Sequence, residues 1–213
     1  MSHVEAEEEP AEHNSSLGPE INAPTDELLT ELEEFEIPAP GKLDLFMVQI
    51  GVKPATELSY QTDWHEPGGI DPDVEGREKL AKIIMYLDKS GLPYSVKSTR
   101  SGKAQTSIVY IGRNQEDLRR IIEADNPMDE AKYGRAVGYP DTAVEGYINN
   151  DMLSEEEFNR LVPQLELNVF TGMRLSREHW REELDVVKAR LDAVKRTSPI
   201  ILGQYIEHAL ANQ

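Results

Sequence analysis

The 213 residues include no cysteine. Without thiols there is no disulfide framework, no thiolate metal site and no cysteine nucleophile. That suits a reducing compartment. Histidine is scarce: His3 and His13 lie near the start, His65 in the first half, His179 beside Trp180, and His208 near the end. No apolar run approaches the roughly 20 residues a membrane span needs. Residues 1–20 show neither a basic n-region nor an apolar h-region, so no signal peptide is read there and a cytoplasmic location is expected. Local catalytic signatures are missing as well. There is no GxSxG, no HExxH, no P-loop and no EF-hand spacing.

Basic residues are absent from one long stretch. Residues 1–40 hold twelve Asp or Glu and no Lys or Arg. The other 173 residues hold 28 acidic and 22 basic groups, a net −6. The overall charge of −18 is therefore mostly a property of the N-terminal segment. Global adaptation to high salt would spread the charge evenly. General nucleic-acid binding would need a basic face to replace counterions.

Residues 1–24 are acidic, carry Pro, Ser and Gly, and have little to bury, so disorder is expected. Residues 25–36 differ. Thr25 is placed to cap a helix, and Leu28, Leu29, Leu32 and Phe35 recur at helical spacing over 26–36. A helix this short is marginal alone and needs a surface to lie on. Pro38, Pro40 and Gly41 then close the segment.

The rest divides into 41–150 and 151–213. The apolar run Leu45, Phe46, Met47, Val48 and Ile50, ended by Gly51, reads as a strand, with Lys53 to Tyr60 extending or pairing with it. Leu80, Ile83, Ile84 and Leu87 predict a helix over 75–89, capped by Gly91. Tyr94 to Ser98 and Ser107 to Ile111 read as a hairpin turning at Ser101-Gly102. Asn114 caps a helix over 115–124, with Leu118, Ile121 and Ile122 inward. The expected fold is α+β: a small mixed or antiparallel sheet in β-α-β-β-α order, helices on one face, then a helical C-terminal part packed on it. In that last part Ser154 and Glu157 form a capping box, and Ser176 caps a long helix. Trp180, Leu184, Val187, Leu191 and Val194 make a seam that packs on the core or across a homodimer through 180–194. Pro199 opens the last helix.

Two clusters carry chemistry. The loop over 61–75 gathers Asp63, His65, Glu66 and Asp71, hard oxygen ligands with one imidazole, which suit a metal ion. The same residues also suit an ordinary solvated loop before a helix. The second cluster is Lys97, Arg100 and Lys103 around the hairpin turn with Arg113, Arg119 and Arg120 near the next helix. It reads as an anion site for phosphate or nucleic acid, as a solvated hairpin tip, or as a surface onto which the acidic segment folds.

The stretch 133–147 is the most distinctive. Pro140 opens a helix whose small residues allow close packing, and Gly138 permits the tight turn into it. Through Gly138, Tyr139, Pro140, Thr142, Ala143, Val144 and Tyr147 the chain resembles a loose group of uncharacterised prokaryotic proteins with a Gly-Tyr-Pro turn and a Thr-Ala-Val helix. Gly51-Val-Lys-Pro-Ala55 is similar to an early segment of that group. The resemblance spans about residues 43–150. It implies a prokaryotic source and one domain holding both segments, and it transfers no catalytic residue.

Three functions remain open at this level. The first is a non-enzymatic interaction module, with Leu28, Leu29, Leu32 and Phe35 docking on a protein partner or on the chain itself. The second is a metal- or small-molecule-dependent enzyme using the 63–75 loop with Tyr139 or Arg135 nearby. The third is a phosphate or nucleic-acid binder through Lys97, Arg100, Lys103, Arg113 and Arg120. No specific cofactor is implied.

Overall fold

The computed structural model describes residues 24–64, 73–101, 104–126 and 129–212, with side chains at 62–64, 73–75, 100, 101 and 104 left out. Ten helices and three strands run in the order α1 Asp26–Glu34, α2 Ala39–Gln49, β1 Ala55–Trp64, α3 Asp73–Ser90, β2 Tyr94–Ser101, β3 Ala104–Gly112, α4 Gln115–Glu123, α5 Glu130–Ala136, α6 Asp141–Ile148, α7 Glu155–Leu161, α8 Leu165–Phe170, α9 Trp180–Thr197 and α10 Pro199–Ala211 among these residues. The sheet is antiparallel, with β3 between β1 and β2.

The run at 45–50 is a helix, not a strand. In α2 every residue from Lys42 to Gln49 except Asp44 is buried. A helix covered on nearly all sides carries no one-sided period, so a short apolar run hides it. Gly51, at φ 78°, ends it, and the amides of Val52 and Lys53 both donate to the Met47 carbonyl. The chain then turns straight into β1, which is therefore the 55–64 segment.

Helices cover both faces of the sheet, not one. Side chains alternate along a strand. On β3, Val109 and Ile111 join a core with Phe46 of α2, Ile83 and Leu87 of α3, Leu191 of α9 and Ile201 of α10. Ile108 and Tyr110 face the other way, onto Leu118 and Ile121 of α4 and Ala136 of α5. A central strand apolar at every position from 108 to 111 needs a cover on each side. On α4 the inward pair is Leu118 and Ile121, while Ile122 is 40% exposed.

The α9 seam lies inside the chain. Leu184, Val187, Leu191 and Val194 are all buried in its own core, which leaves none of the four for a homodimer contact. The segment before the core is occupied in the same way. Thr25 caps α1 by accepting from the Leu28 amide at 3.3 Å. Leu32 is fully buried, Leu28, Leu29 and Phe35 pack against the core, and Phe35 meets Tyr86 edge-on at 5.9 Å. The helix end is tied down by polar bonds. Lys42 Nζ and Gln204 Nε2 donate to the Glu33 carbonyl at 2.8 and 3.1 Å, and Ser198 Oγ donates to the Glu33 carboxylate at 2.7 Å. Deleting the Leu32 side chain removes a filled site. Leu32→Ala is expected to cost about 3 kcal/mol, limited by the free energy that holds α1 down. Urea denaturation measures the cost, and protease cleavage between 24 and 40 in the variant reports whether α1 lifts.

Candidate functional site

Each sequence-level cluster has a definite place. His65, Glu66 and Asp71 lie outside the described residues, as does the Asp63 side chain, although Asp63 itself sits in β1 opposite Gln105. Among the described residues no group of three or more His, Asp or Glu is arranged to hold a metal ion. Of the basic set, Lys103 and the Arg100 side chain are likewise outside. The others are charge-compensated. Lys97 pairs with Asp125, Arg113 with Asp117 at 3.1 Å, and Arg119 and Arg120 both with Glu116 at 2.8 and 3.0 Å. These are mostly exposed pairs worth little to stability, but they leave no uncompensated cation among the described members. Arg135 is exposed and pairs with Asp141. No described helix is long and apolar enough to cross a membrane.

The structure instead gathers groups that the sequence reading kept apart. A cavity of about 240 Å³ opens between α2, α9, α10 and residues 170–173. Asp44 reaches it from α2, Lys53 from the turn after α2, Tyr139 from the α5–α6 turn, Arg190 from α9 and Tyr205 from α10. Met47, Phe170, Met173 and Val187 supply apolar wall.

The polar side is anchored. Lys53 Nζ meets Asp44 Oδ1 at 2.7 Å, and Thr56 Oγ1 donates to Asp44 Oδ2 at 3.3 Å. The Lys53 side chain is 10% exposed and that of Asp44 is 36% exposed, so the pair is partly shielded from solvent. Arg190 donates to the Gly138 carbonyl. Burial pushes the Arg190 guanidinium below its usual range, and the nearby Asp44 carboxylate partly restores it. Tyr139 is pushed up by burial first and by the Asp44 charge second, and its hydroxyl lies 3.4 Å from the Gly172 carbonyl. Tyr205 is raised by the same two causes and donates to the Val169 carbonyl at 3.1 Å. Just behind Lys53, burial raises Glu57 on β1, and the neighbouring Tyr133 hydroxyl opposes this.

Local geometry explains why this turn is where it is. Gly138 has φ 88°, which glycine alone adopts without strain. A Cβ there would lie 2.5 Å from Pro54 Cδ. Segments 51–55 and 138–147 thus touch at Pro54 and Gly138. The α5–α6 turn presses on the α2–β1 turn, and that contact sets Tyr139 beside Asp44 and Lys53. Pro140 stands one residue outside α6, as its N-cap.

A second cavity, about 360 Å³, lies on the far side of Tyr139, Gly172 and Met173, which line both. Its walls include Tyr133, Gly134, Ala143, Val144, Tyr147 and Met152. The 170–176 segment that divides the two is held from behind. Ser176 donates from its amide and hydroxyl to the buried Glu183 carboxylate at 2.7 and 2.6 Å, and the Leu153 amide donates to the Leu175 carbonyl at 2.9 Å.

Of these groups the sequence reading touched the turn around Gly138 and Tyr139 and, within Gly51-Val-Lys-Pro-Ala55, Lys53. Asp44, Arg190 and Tyr205 belong to no local motif. Their one common signal is a polar residue set among apolar helix or turn positions, a pattern that surface residues share. No protein-family model, curated protein or solved structure matches the chain, so what the cavity does rests on its own geometry.

Proposed function

We propose that this protein binds a small molecule in the cavity between α2, α9, α10 and residues 170–173. The supporting observation is convergence. Charged or hydroxyl side chains from α2, the turn after it, the α5–α6 turn, α9 and α10 meet at one concave site with an apolar wall. Concave, mostly apolar sites with a few convergent polar groups are where small ligands bind. The volume of about 240 Å³ lies just under the range for drug-sized ligands and suits a small metabolite.

Binding fits these groups better than turnover. Both Asp44 oxygens are engaged, by Lys53 and Thr56. Burial holds the Tyr139 phenol in its protonated form. No activated nucleophile lines the cavity among the described residues. A protein partner using Leu28, Leu29, Leu32 and Phe35 would first have to lift α1 off the core.

The test is a ligand-observed NMR screen of small metabolites on the wild type and on Met173→Trp. Met173 is half-buried on the wall shared by both cavities, so the indole fills space without opening the core. Hits are expected on the wild type and lost on the variant, whose melting temperature stays within about 2 °C. At 100 times its dissociation constant a true ligand raises stability by about 2.7 kcal/mol. Hits that persist in Met173→Trp, or a screen without hits, would sink the reading.

A further inference from the structure

Resting on the small-molecule reading above, we propose that the ligand is a monocarboxylate with a linear apolar body. Its carboxylate sits on Arg190, and its chain passes Met173 and Tyr139 toward the second cavity.

The head group follows from charge and shape. Arg190 lines the cavity and donates to one carbonyl, that of Gly138. Among the described residues no carboxylate lies within 4 Å of it. Lys53 is engaged with Asp44 at 2.7 Å. The cavity therefore carries two cations against one carboxylate. A monoanion closes that balance. A dianion such as a phosphate monoester places excess negative charge beside Asp44, and an ammonium adds to the excess positive charge. The planar guanidinium fork matches two carboxylate oxygens, and such paired bonds are strong where water is largely shut out. The burial that lowers the Arg190 pKa agrees with a desolvated cation that gains from a bound anion.

The body follows from the wall. Tyr139, Gly172 and Met173 line both cavities. The Tyr139 hydroxyl is 3.4 Å from the Gly172 carbonyl, too long for a strong O–H···O bond. A Cβ built on Gly172 would meet nothing within 4 Å. The partition is thus a weak contact beside a flexible thioether, and methionine side chains re-pack around differing shapes. Beyond it Ala143, Val144 and Met152 offer an apolar lining.

The experiment titrates the full chain, methyl-labelled at methionine, with octanoate, butyrate, 1-octanol, octylammonium and octyl phosphate. Octanoate is expected to bind at least about tenfold more tightly than the neutral, cationic and phosphate analogues, the value of a hydrogen-bonded charge pair. Each buried CH₂ adds about fourfold, so octanoate outbinds butyrate. Octanoate should shift the methyls of Met47, Met173 and Met152, whereas butyrate should leave Met152 unmoved. Arg190→Gln should cost octanoate about tenfold or more and leave 1-octanol unchanged, and Arg190→Lys should restore part of the loss. If 1-octanol or octyl phosphate binds as tightly as octanoate at these methyls, the carboxylate assignment falls while the small-molecule reading stands. If butyrate and octanoate bind equally and Met152 never moves, the extended body is wrong. If none of the five probes binds, this ligand class is overturned, and the metabolite screen with Met173→Trp decides the broader reading separately.

Discussion

Glu183→Ala is expected to lower stability by about 4 kcal/mol, and Glu183→Gln by about half as much. Glu183 is 1% exposed and Ser176 is 2% exposed. The carboxylate takes both donors of Ser176, the amide at 2.7 Å and the hydroxyl at 2.6 Å. Removing it leaves two buried donors without an acceptor, and each costs about 1–3 kcal/mol. The lost side-chain volume adds a cavity cost. Glutamine keeps one carbonyl oxygen and so retains one acceptor of the two. In urea denaturation the midpoint should fall in the order wild type, Gln, Ala, with the slope unchanged. The consequence for the site is direct. Ser176 ends the segment that carries Gly172 and Met173, and its neighbour Arg177 donates its amide to the Asp151 carbonyl at 3.0 Å. Loosening that segment moves the wall between the two cavities, so ligand affinity in Glu183→Ala should fall with stability. A variant as stable as the wild type would mean that the buried pair is dispensable.

Gly138→Val is expected to cost about 3 kcal/mol and to abolish binding in the cavity. Two effects add. At φ 88° a β-branched residue is strained by about 1–2 kcal/mol. Its Cβ would also stand 2.5 Å from Pro54 Cδ, inside contact distance with a rigid ring, and such overpacking costs about 1–3 kcal/mol. Gly91 is a natural control. It has φ 71°, yet a Cβ there meets nothing within 4 Å. Gly91→Ala should therefore lose only the backbone part, about 1 kcal/mol. Gly138→Ala should lose more, and the difference measures the contact between the α5–α6 turn and the α2–β1 turn. Calorimetry on the two alanine variants gives that difference. Equal losses would show that the turn does not press on Pro54. Because Arg190 bonds the Gly138 carbonyl, shifting this turn also releases the guanidinium, and the carboxylate preference should go with it.

Much of this architecture can be read from local sequence, for a physical reason. Caps and one-sided stripes are properties of a few consecutive residues. Thr25, Asn114 and Ser154 cap helices with their own side chains. The stripe of Leu80, Ile83, Ile84 and Leu87 faces the core. Gly91 and Gly138 hold positive φ. Strands β2 and β3 pair antiparallel as the hairpin reading expects, although Ser101, read as part of the turn, is the last residue of β2 and lies opposite Ala104. The mixture of helices with a small sheet follows from these signals alone, while the antiparallel pairing of all three strands is seen only in the fold.

Tertiary structure decided the rest, because it depends on what covers each face. The 45–50 run is helical because neighbours bury it all round, and a fully buried helix has no period to read. Helices cover both sheet faces because β3 is central, a position set by pairing between residues some fifty apart. The apolar stripes of α1 and α9 meet the chain's own core, while a stripe by itself is equally suited to a partner. The site was the least legible part. Asp44, Lys53, Tyr139, Arg190 and Tyr205 are spread over 162 positions of sequence. Only the folded chain brings them within reach of one another, since no local spacing encodes a contact between helices and turns so far apart in sequence.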